Sequence, residues 1–211
     1  MKRLLVVLAV LFARPAAAQL TVEPAGPCAA EGVSDAVKAL LEPNGYRVKD
    51  ASAAVFVEAW IRKAIPAEKP AEQPRGSDYS VIPPGTVLGV IRYARAGADF
   101  RGQPIQEGVY VMRFNLQPED GDHQGASPRR DHILLSLASA DADPAAKLSF
   151  DDAVALSRKA SGTNHPSVLF LAAPESGAKF PGIEHGHGRD VLQVKSGAVG
   201  LGIIVVGKAE E

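Results

Sequence analysis

The sequence predicts a mainly β fold with an α+β margin, built as an antiparallel β-sandwich or a partly open barrel with two accessory helices. About eight or nine short apolar or alternating segments recur between turn residues, which is typical of all-β domains. Only two segments carry the period of a helix, and no regular β–α–β alternation indicates a parallel sheet. With 211 residues, 46% of them hydrophobic, the chain is long enough to bury one such core.

The start of the chain has the features of a secretory signal peptide over residues 1–18. Lys2 and Arg3 are basic, residues 4–12 are apolar, and three alanines at 16–18 provide the small residues that a signal peptidase accepts. We expect cleavage after Ala18 and a secreted or periplasmic location. The apolar run would rise only about 14 Å as a helix, short of the roughly 30 Å hydrocarbon core, so we expect no membrane span.

An N-terminal unit of one helix and two strands is predicted over residues 19–65. Val33, Val37 and Leu41 form one apolar stripe, which predicts a helix over residues 29–43 that ends at Asn44-Gly45. The strands predicted in this unit cover residues 46–49 and 54–62. Residues 54–62 alternate, with one apolar face and one mixed face.

A Pro-rich loop or linker over 66–79 precedes a β-rich main body over 80–211. The strands predicted in the main body cover residues 86–93, 109–116, 133–138, 167–172, 190–195 and 201–206. Residues 133–138 are almost all apolar, which predicts a strand buried on both faces. Ser149 begins a capping box, and we expect a helix over 149–160.

Charge and cysteine content limit the classes of partner. The formal net charge is −1, and it becomes more negative when the bases of residues 1–18 are removed. Such a chain has no basic surface for nucleic acid, so we expect a soluble protein without a nucleic-acid partner. Cys28 is the single cysteine, which excludes an intramolecular disulfide. We expect Cys28 to be half-buried or, alternatively, to bridge two chains or act as a reactive thiol.

Four stretches of the chain, taken together and in this order, carry a resemblance to a known group of proteins. They are IPPGTVLGVIRY (82–93), DFRGQPIQEGVYVMRF (99–114), GDHQGASPRRDHILLSLA (121–138) and KASGTNHPSVLFL (159–171). With these stretches the chain resembles an uncharacterised group of exported bacterial proteins, over most of residues 30–211. The resemblance implies an exported bacterial protein with a β-rich core. Because the group has no known activity, the resemblance implies no catalytic residue.

A polar loop supplies the first candidate metal site. Asp120, Asp122 and Asp131 are spaced like carboxylate ligands of a calcium loop, with Gly125 to turn the backbone. The pattern departs from a calcium loop at Gln124, Ser127 and Pro128, and an Asp takes the place of the closing Glu. The alternative is a solvated loop that uses Asp and Gly for its turns.

A second candidate metal site lies near the C-terminus. His185 and His187 are two residues apart and would share one face of a strand, a geometry that zinc, copper and iron sites use, with Asp190 as a third ligand. The alternative is a flexible surface loop, because glycines surround both histidines. The neighbouring bases Arg129 and Arg130 are a candidate anion clamp or, alternatively, a solvated pair.

No Ser–His or Cys–His arrangement suggests nucleophilic catalysis. The leading hypothesis is therefore a non-enzymatic binding or interaction module of the bacterial cell envelope, with a protein or glycan partner and no cofactor. One alternative is a metal-dependent hydrolase or oxidoreductase that uses the loop Asp and His residues with calcium or a transition metal. Another alternative is a structural component of the envelope.

Overall fold

The computed structural model describes residues 19–119 and 129–207 and shows a mainly β protein with 41% strand and 9% helix. Ten strands form one antiparallel sheet that curls until it is nearly closed into a barrel. The predicted fold class is confirmed, and the barrel is the form that it takes. No helix within these two ranges has the length and apolar character needed to cross a membrane.

Short strands make up most of the described chain. The strands are β1 (Thr21–Ala25), β2 (Gly45–Lys49), β3 (Val55–Ile61), β4 (Val87–Tyr93), β5 (Gly97–Ala98), β6 (Pro104–Ile105), β7 (Gly108–Leu116), β8 (Asp131–Leu137), β9 (Val168–Ala172), β10 (Gly182–Gly186), β11 (Arg189–Ser196) and β12 (Val199–Gly207). The helices are α1 (Asp35–Lys38) and α2 (Phe150–Ser161).

The order of strands in the large sheet is β1-β2-β3-β4-β7-β8-β9-β12-β11-β10. From β1 to β9 the long strands pair with their neighbours along the chain, whereas β12, β11 and β10 are added in reverse order. The edge strands β1 and β10 consequently approach each other, which nearly closes the barrel. The short strands β5 and β6 form a separate ribbon between β4 and β7.

Strand β7 shows how alternation separates the two faces of the barrel wall. Tyr110, Met112 and Phe114 are buried in the interior cluster, whereas Val111 belongs to a cluster on the outer face. This is the division that the period of two in the sequence predicts. Interior side chains from the other strands include Val57, Ile61, Leu88, Ile91, Leu135, Leu169, Leu192, Val194, Leu201 and Ile203. The barrel interior is therefore a packed core of apolar side chains.

The helix predicted over residues 29–43 is wrong in length, because only Asp35–Lys38 is α-helical. Ser34 caps the helix, since its hydroxyl accepts a hydrogen bond from the N–H of Val37 at 3.2 Å. After Lys38 the chain makes one more turn and then runs beside β3, where the N–H of Glu42 donates to Ile61 O at 2.8 Å. Val33, Val37 and Leu41 are nevertheless buried on the outer face of the barrel. Their spacing therefore predicted which side chains are buried, but not how long the helix is.

Helix α2 agrees with its prediction and packs on β8. The Ser149 hydroxyl accepts from the N–H of Asp152, and Gly162 ends the helix with a left-handed φ of 68°. Beneath the helix Leu134 is only 2% exposed, while its neighbours on β8 face the barrel interior. The prediction of a strand buried on both faces is confirmed.

The edge strands β1 and β10 were not among the predicted strands. Pro24 interrupts the propensity pattern of β1, and β10 begins and ends with Gly182 and Gly186. Both are features of edge strands, which lack a neighbour on one side and tolerate residues that a central strand excludes. The strand propensity of the sequence is therefore weakest in the two edge strands, β1 and β10.

The predicted loop or linker at 66–79 lies between β3 and β4, which pair directly with each other. One sheet therefore includes strands from both sides of this segment. Ile65, Tyr79 and Ile82 are buried in the interior cluster, so the connection packs into the barrel at the end where β3 finishes and β4 begins. Cys28 is half-buried against the outer cluster.

Candidate functional site

A cleft of about 510 Å³ lies beside α2 on the outer face of β8 and β9. Its apolar lining consists of Pro118, Phe150, Val154, Pro166, Val168 and Phe170. Its polar lining consists of Arg101, Gln117, His132, Asp151, Arg158, Asn164 and His165. An apolar surface with a few converging polar groups, in this range of volume, is typical of small-molecule sites. We refer to it as the α2 cleft.

Helix α2 presents different residues to the sheet and to the cleft. Asp151, Val154 and Arg158 line the cleft at positions i, i+3 and i+7, which lie on one helical face. The buried face uses small residues, among them Ala153 and Ser157, which bring the helix close to the sheet. The Ser157 hydroxyl also donates to Ser167 O at 2.8 Å. The cleft wall is therefore fixed to β8 by packing and to Ser167, just before β9, by a buried hydrogen bond.

The loop after α2 is held in one shape by side-chain hydroxyls. Ser161 Oγ donates to His165 O at 2.5 Å, and Thr163 Oγ1 donates to the same carbonyl at 3.1 Å. Thr163 Oγ1 also accepts from the N–H of His165 at 3.1 Å. These bonds place Asn164, His165 and Pro166 at the cleft without help from a ligand, which lowers the ordering cost of binding.

The Arg101 side of the cleft depends on a buried carboxylate. Asp99 Oδ1 accepts hydrogen bonds from the N–H groups of Arg101 at 2.9 Å and Gln103 at 2.8 Å, closing a tight loop. Burial raises the pKa of Asp99, and the two N–H groups oppose that rise. The positions of Arg101 and His165 near this carboxylate also favour its charged form.

The remaining side of the cleft contains His132 and Gln117. The Nδ1 atom of His132 lies 3.2 Å from Arg130 O, and because a carbonyl can only accept, Nδ1 carries the proton in this bond. Arg130 in turn fixes Gln117, since its Nε donates to Gln117 O at 2.7 Å. Both cleft residues are less than a tenth exposed, so this side is a built floor and not a mobile rim.

Of the three predicted calcium ligands, the structure describes only Asp131. Asp120 and Asp122 lie outside the described residues, as does the loop between them and residue 128. Asp131 is fully buried at the start of β8, and its oxygens accept from Ser77 Oγ at 2.6 Å and from the N–H groups of Asp78 and Tyr79 at 2.7 and 3.3 Å. In the described chain Asp131 therefore anchors residues 77–79, and calcium binding by this loop stays a prediction.

The predicted histidine pair lies on the hairpin of β10 and β11. His185 and Asp190 are opposite each other, with Nδ1 and Oδ1 2.6 Å apart. His187 occupies the turn with a φ of 51°, next to Gly188 at 68°, which is the geometry of a tight hairpin turn. Within residues 19–119 and 129–207, no three His, Cys, Asp or Glu side chains are grouped to hold a metal ion. A metal at His185 and His187 stays a prediction.

In the described chain Arg129 and Arg130 pair with different carboxylates, and anion binding by the two together stays a prediction. Arg129 Nε lies 3.0 Å from Asp78 Oδ2, and Arg130 Nη1 lies 2.6 Å from Glu119 Oε1. Each guanidinium thus already pairs with a carboxylate of its own.

A second cavity of about 300 Å³ lies near β2, β3 and β4, and Glu58 lines it together with Arg47, Arg92 and Trp60. The Glu58 carboxylate lies 2.8 Å from each of the two guanidinium groups. Burial acts to raise the pKa of Glu58, but the two arginines outweigh it and the pKa is lowered. These charges satisfy one another, so this cavity has weaker features of a ligand site than the α2 cleft.

Sequence reasoning missed the α2 cleft, because its residues come from positions 101 to 170 and meet only through the strand order. It did not bring Arg101, His132, Arg158 and His165 together as one site. Phe150, which follows the capping Ser149 and lines the cleft, is 39% exposed, but this exposure is visible only in the structure.

No protein-family model, no curated protein and no solved structure matches this chain.

Proposed function

We propose that this protein is a non-enzymatic binding module of the bacterial cell envelope and that it holds its ligand in the α2 cleft. The observation that carries the proposal is the cleft itself, in which an apolar floor and converging polar groups are fixed before any ligand arrives. A volume of about 510 Å³ suits a small molecule or one chemical group of a larger protein or glycan partner.

The envelope location is supported by the signal-peptide features of residues 1–18 and by the resemblance to exported bacterial proteins. Leu20 is buried and Thr21 begins β1, so the barrel uses the residues directly after the proposed cleavage site at Ala18. N-terminal mass analysis of protein recovered from the envelope should give Gln19 as the first residue. Recovery of a chain that begins at Met1 would contradict export by cleavage.

Binding is tested with a variant that fills the cleft. Val154→Trp places an indole in the cleft, while Ala155→Trp adds the same side chain to the exposed side of α2 and serves as the matched control. A ligand that binds the native state raises the melting temperature. We expect a mixture of small molecules or glycans extracted from the envelope to raise the melting temperature of the natural protein and of Ala155→Trp. The same mixture should leave the melting temperature of Val154→Trp unchanged. Equal stabilisation of all three proteins, or of none, would contradict the proposal.

The enzymatic alternative rests on Asp120, Asp122, Asp131, His185 and His187. It is tested by metal analysis of the purified protein. One equivalent of zinc, copper or iron would favour a metal-dependent hydrolase or oxidoreductase over the binding module.

A further inference from the structure

We infer that the α2 cleft recognises an organic oxyanion, a carboxylate or phosphate group carried on an aromatic or aliphatic body. The inference rests on the proposed function, because it names the chemistry of the ligand that the cleft would hold. Its basis is the combination of an apolar floor with two arginines, neither of which lies within 4 Å of a carboxylate oxygen among the described residues.

The two cleft arginines differ from most others in the described chain. Arginines that lie within 4 Å of a carboxylate are Arg47, Arg92, Arg95, Arg113, Arg129 and Arg130. Arg101 and Arg158 make no such ion pair within residues 19–119 and 129–207, although both line one cleft from separate elements. Guanidinium groups bind carboxylates and phosphates through paired, charge-assisted hydrogen bonds, which makes these two the natural donors to an anion.

The other charges at the cleft do not cancel the two arginines. Asp151 is the carboxylate in the lining, and it is exposed in the first turn of α2. Asp99 is buried below Arg101, where two backbone N–H groups occupy one of its oxygens. The lining as described is therefore more positive than negative, which favours an anionic ligand.

The apolar part of the cleft favours a ligand with a body as well as an anionic head. Phe170 on the floor is 2% exposed and packs edge-on against Phe100, with ring centroids 6.1 Å apart. Phe150 stays 39% exposed at the other wall. An inorganic ion would leave the exposed Phe150 ring uncovered, whereas a ring or short chain on the ligand would bury it.

Three probes that share a naphthyl ring separate the contribution of the anionic group from that of the apolar body. They are 2-naphthoate, 2-naphthyl phosphate and the neutral 2-naphthamide, with dissociation constants measured by titration calorimetry on the chain that begins at Gln19. We expect at least one anion to bind about ten-fold more tightly than the amide, the scale of one charge-assisted hydrogen bond. Tighter binding of naphthoate would indicate a carboxylate ligand, and tighter binding of naphthyl phosphate would indicate a phosphate ester.

Variants on the exposed surface complete the test. Arg101→Gln and Arg158→Gln should each weaken anion binding about ten-fold and leave amide binding unchanged. Lys159→Gln removes the same charge one residue away on α2 and should change neither. The inference is overturned if no probe binds at millimolar concentration, or if the anions bind no better than the amide. If the amide binds and Val154→Trp abolishes that binding, the cleft still binds ligands and only the anion preference fails.

Discussion

The Arg113 guanidinium and the Asp141 carboxylate form a buried two-point ion pair, with Nε to Oδ2 at 2.7 Å and Nη2 to Oδ1 at 2.5 Å. Both side chains are at most 3% exposed. Arg113 also donates to Gly85 O and Asp143 O, each at 2.8 Å, and Ser136 Oγ donates to Asp141 at 2.6 Å. The pair thus ties β7 to the turn before β4 and to the chain that follows β8.

We predict that Asp141→Asn lowers the free energy of unfolding by about 3–5 kcal/mol, because it leaves a buried guanidinium without its counter-charge. The measurement is urea unfolding followed by circular dichroism. Asp143→Asn is the control, since it removes the same charge from an exposed position two residues away. A loss below about 1 kcal/mol for Asp141→Asn would show that water or another group replaces the pair.

A hydroxyl bridges the shortest ladder between paired strands of the large sheet. Strands β9 and β12 share only two residue pairs in the described chain. Beside them, Tyr79 donates to Ala172 O at 3.0 Å and accepts from the N–H of Gly202 at 3.2 Å. Burial raises the pKa of Tyr79, so the hydroxyl keeps its proton and its role as donor.

Tyr79→Phe should therefore lower the free energy of unfolding by about 1–3 kcal/mol, the usual cost of leaving buried partners unsatisfied. The Gly202 amide should also exchange its hydrogen faster. Tyr46→Phe provides the comparison, because the Tyr46 hydroxyl makes no hydrogen bond within the described ranges and its removal should cost little. Equal stability of the two variants would mean that the Tyr79 bridge contributes nothing.

The pH dependence of stability should distinguish two aspartates. Burial raises the pKa of Asp99 above its unfolded value, so folding favours the protonated form. Its contribution to stability is present below the unfolded pKa and is lost as pH rises through the folded pKa. Hydrogen bonds from Ser52 lower the pKa of Asp50, so its contribution is present at higher pH and is lost as pH falls.

Replacing each aspartate by asparagine removes the titration. From about pH 3 to about pH 7, the melting temperature of Asp99→Asn should rise relative to the natural protein, and that of Asp50→Asn should fall relative to it. Thermal unfolding across this range gives both differences. Parallel profiles for all three proteins would contradict the environments assigned to the two carboxyls.

Local patterns predicted the wall of the barrel better than its connections. The alternation of residues 109–116 placed Tyr110 and Phe114 inside, and the capping box at Ser149 placed α2, because each signal is complete within one segment. Arg113 alternates with these residues and lies on the opposite face of β7. Its partner Asp141 was not predictable, since the partner depends on how a later segment returns to the sheet.

The α2 cleft was not predictable for the same reason. Arg101, His132 and Arg158 carry no shared motif, and they come from three separate places in the chain: the loop between β5 and β6, strand β8 and helix α2. Sequence spacing instead drew attention to Asp131, whose carboxylate proved to be occupied by backbone donors. Residue type and spacing alone do not distinguish a carboxylate that holds a loop from one that holds a cation.

The last prediction separates these two roles at Asp131. As an anchor, Asp131 accepts hydrogen bonds from Ser77 Oγ and from two backbone N–H groups. In Asp131→Asn the side-chain NH₂ group, itself a donor, would face these donors. We expect a loss of about 1–3 kcal/mol in the free energy of unfolding, equal in chelator and in millimolar calcium. If Asp131→Asn is less stable than the natural protein only when calcium is present, Asp131 is instead a calcium ligand.

The matched variant for the calcium hypothesis is the double substitution Asp120→Asn with Asp122→Asn. If the loop binds calcium, the natural protein should gain about 2.7 kcal/mol at one hundred times the dissociation constant, and the double variant should lose that gain. If the loop does not bind calcium, calcium leaves the melting temperature of both proteins unchanged. The chelator arm then still shows the destabilisation by Asp131→Asn, because the hydrogen bonds to residues 77–79 do not depend on a metal ion.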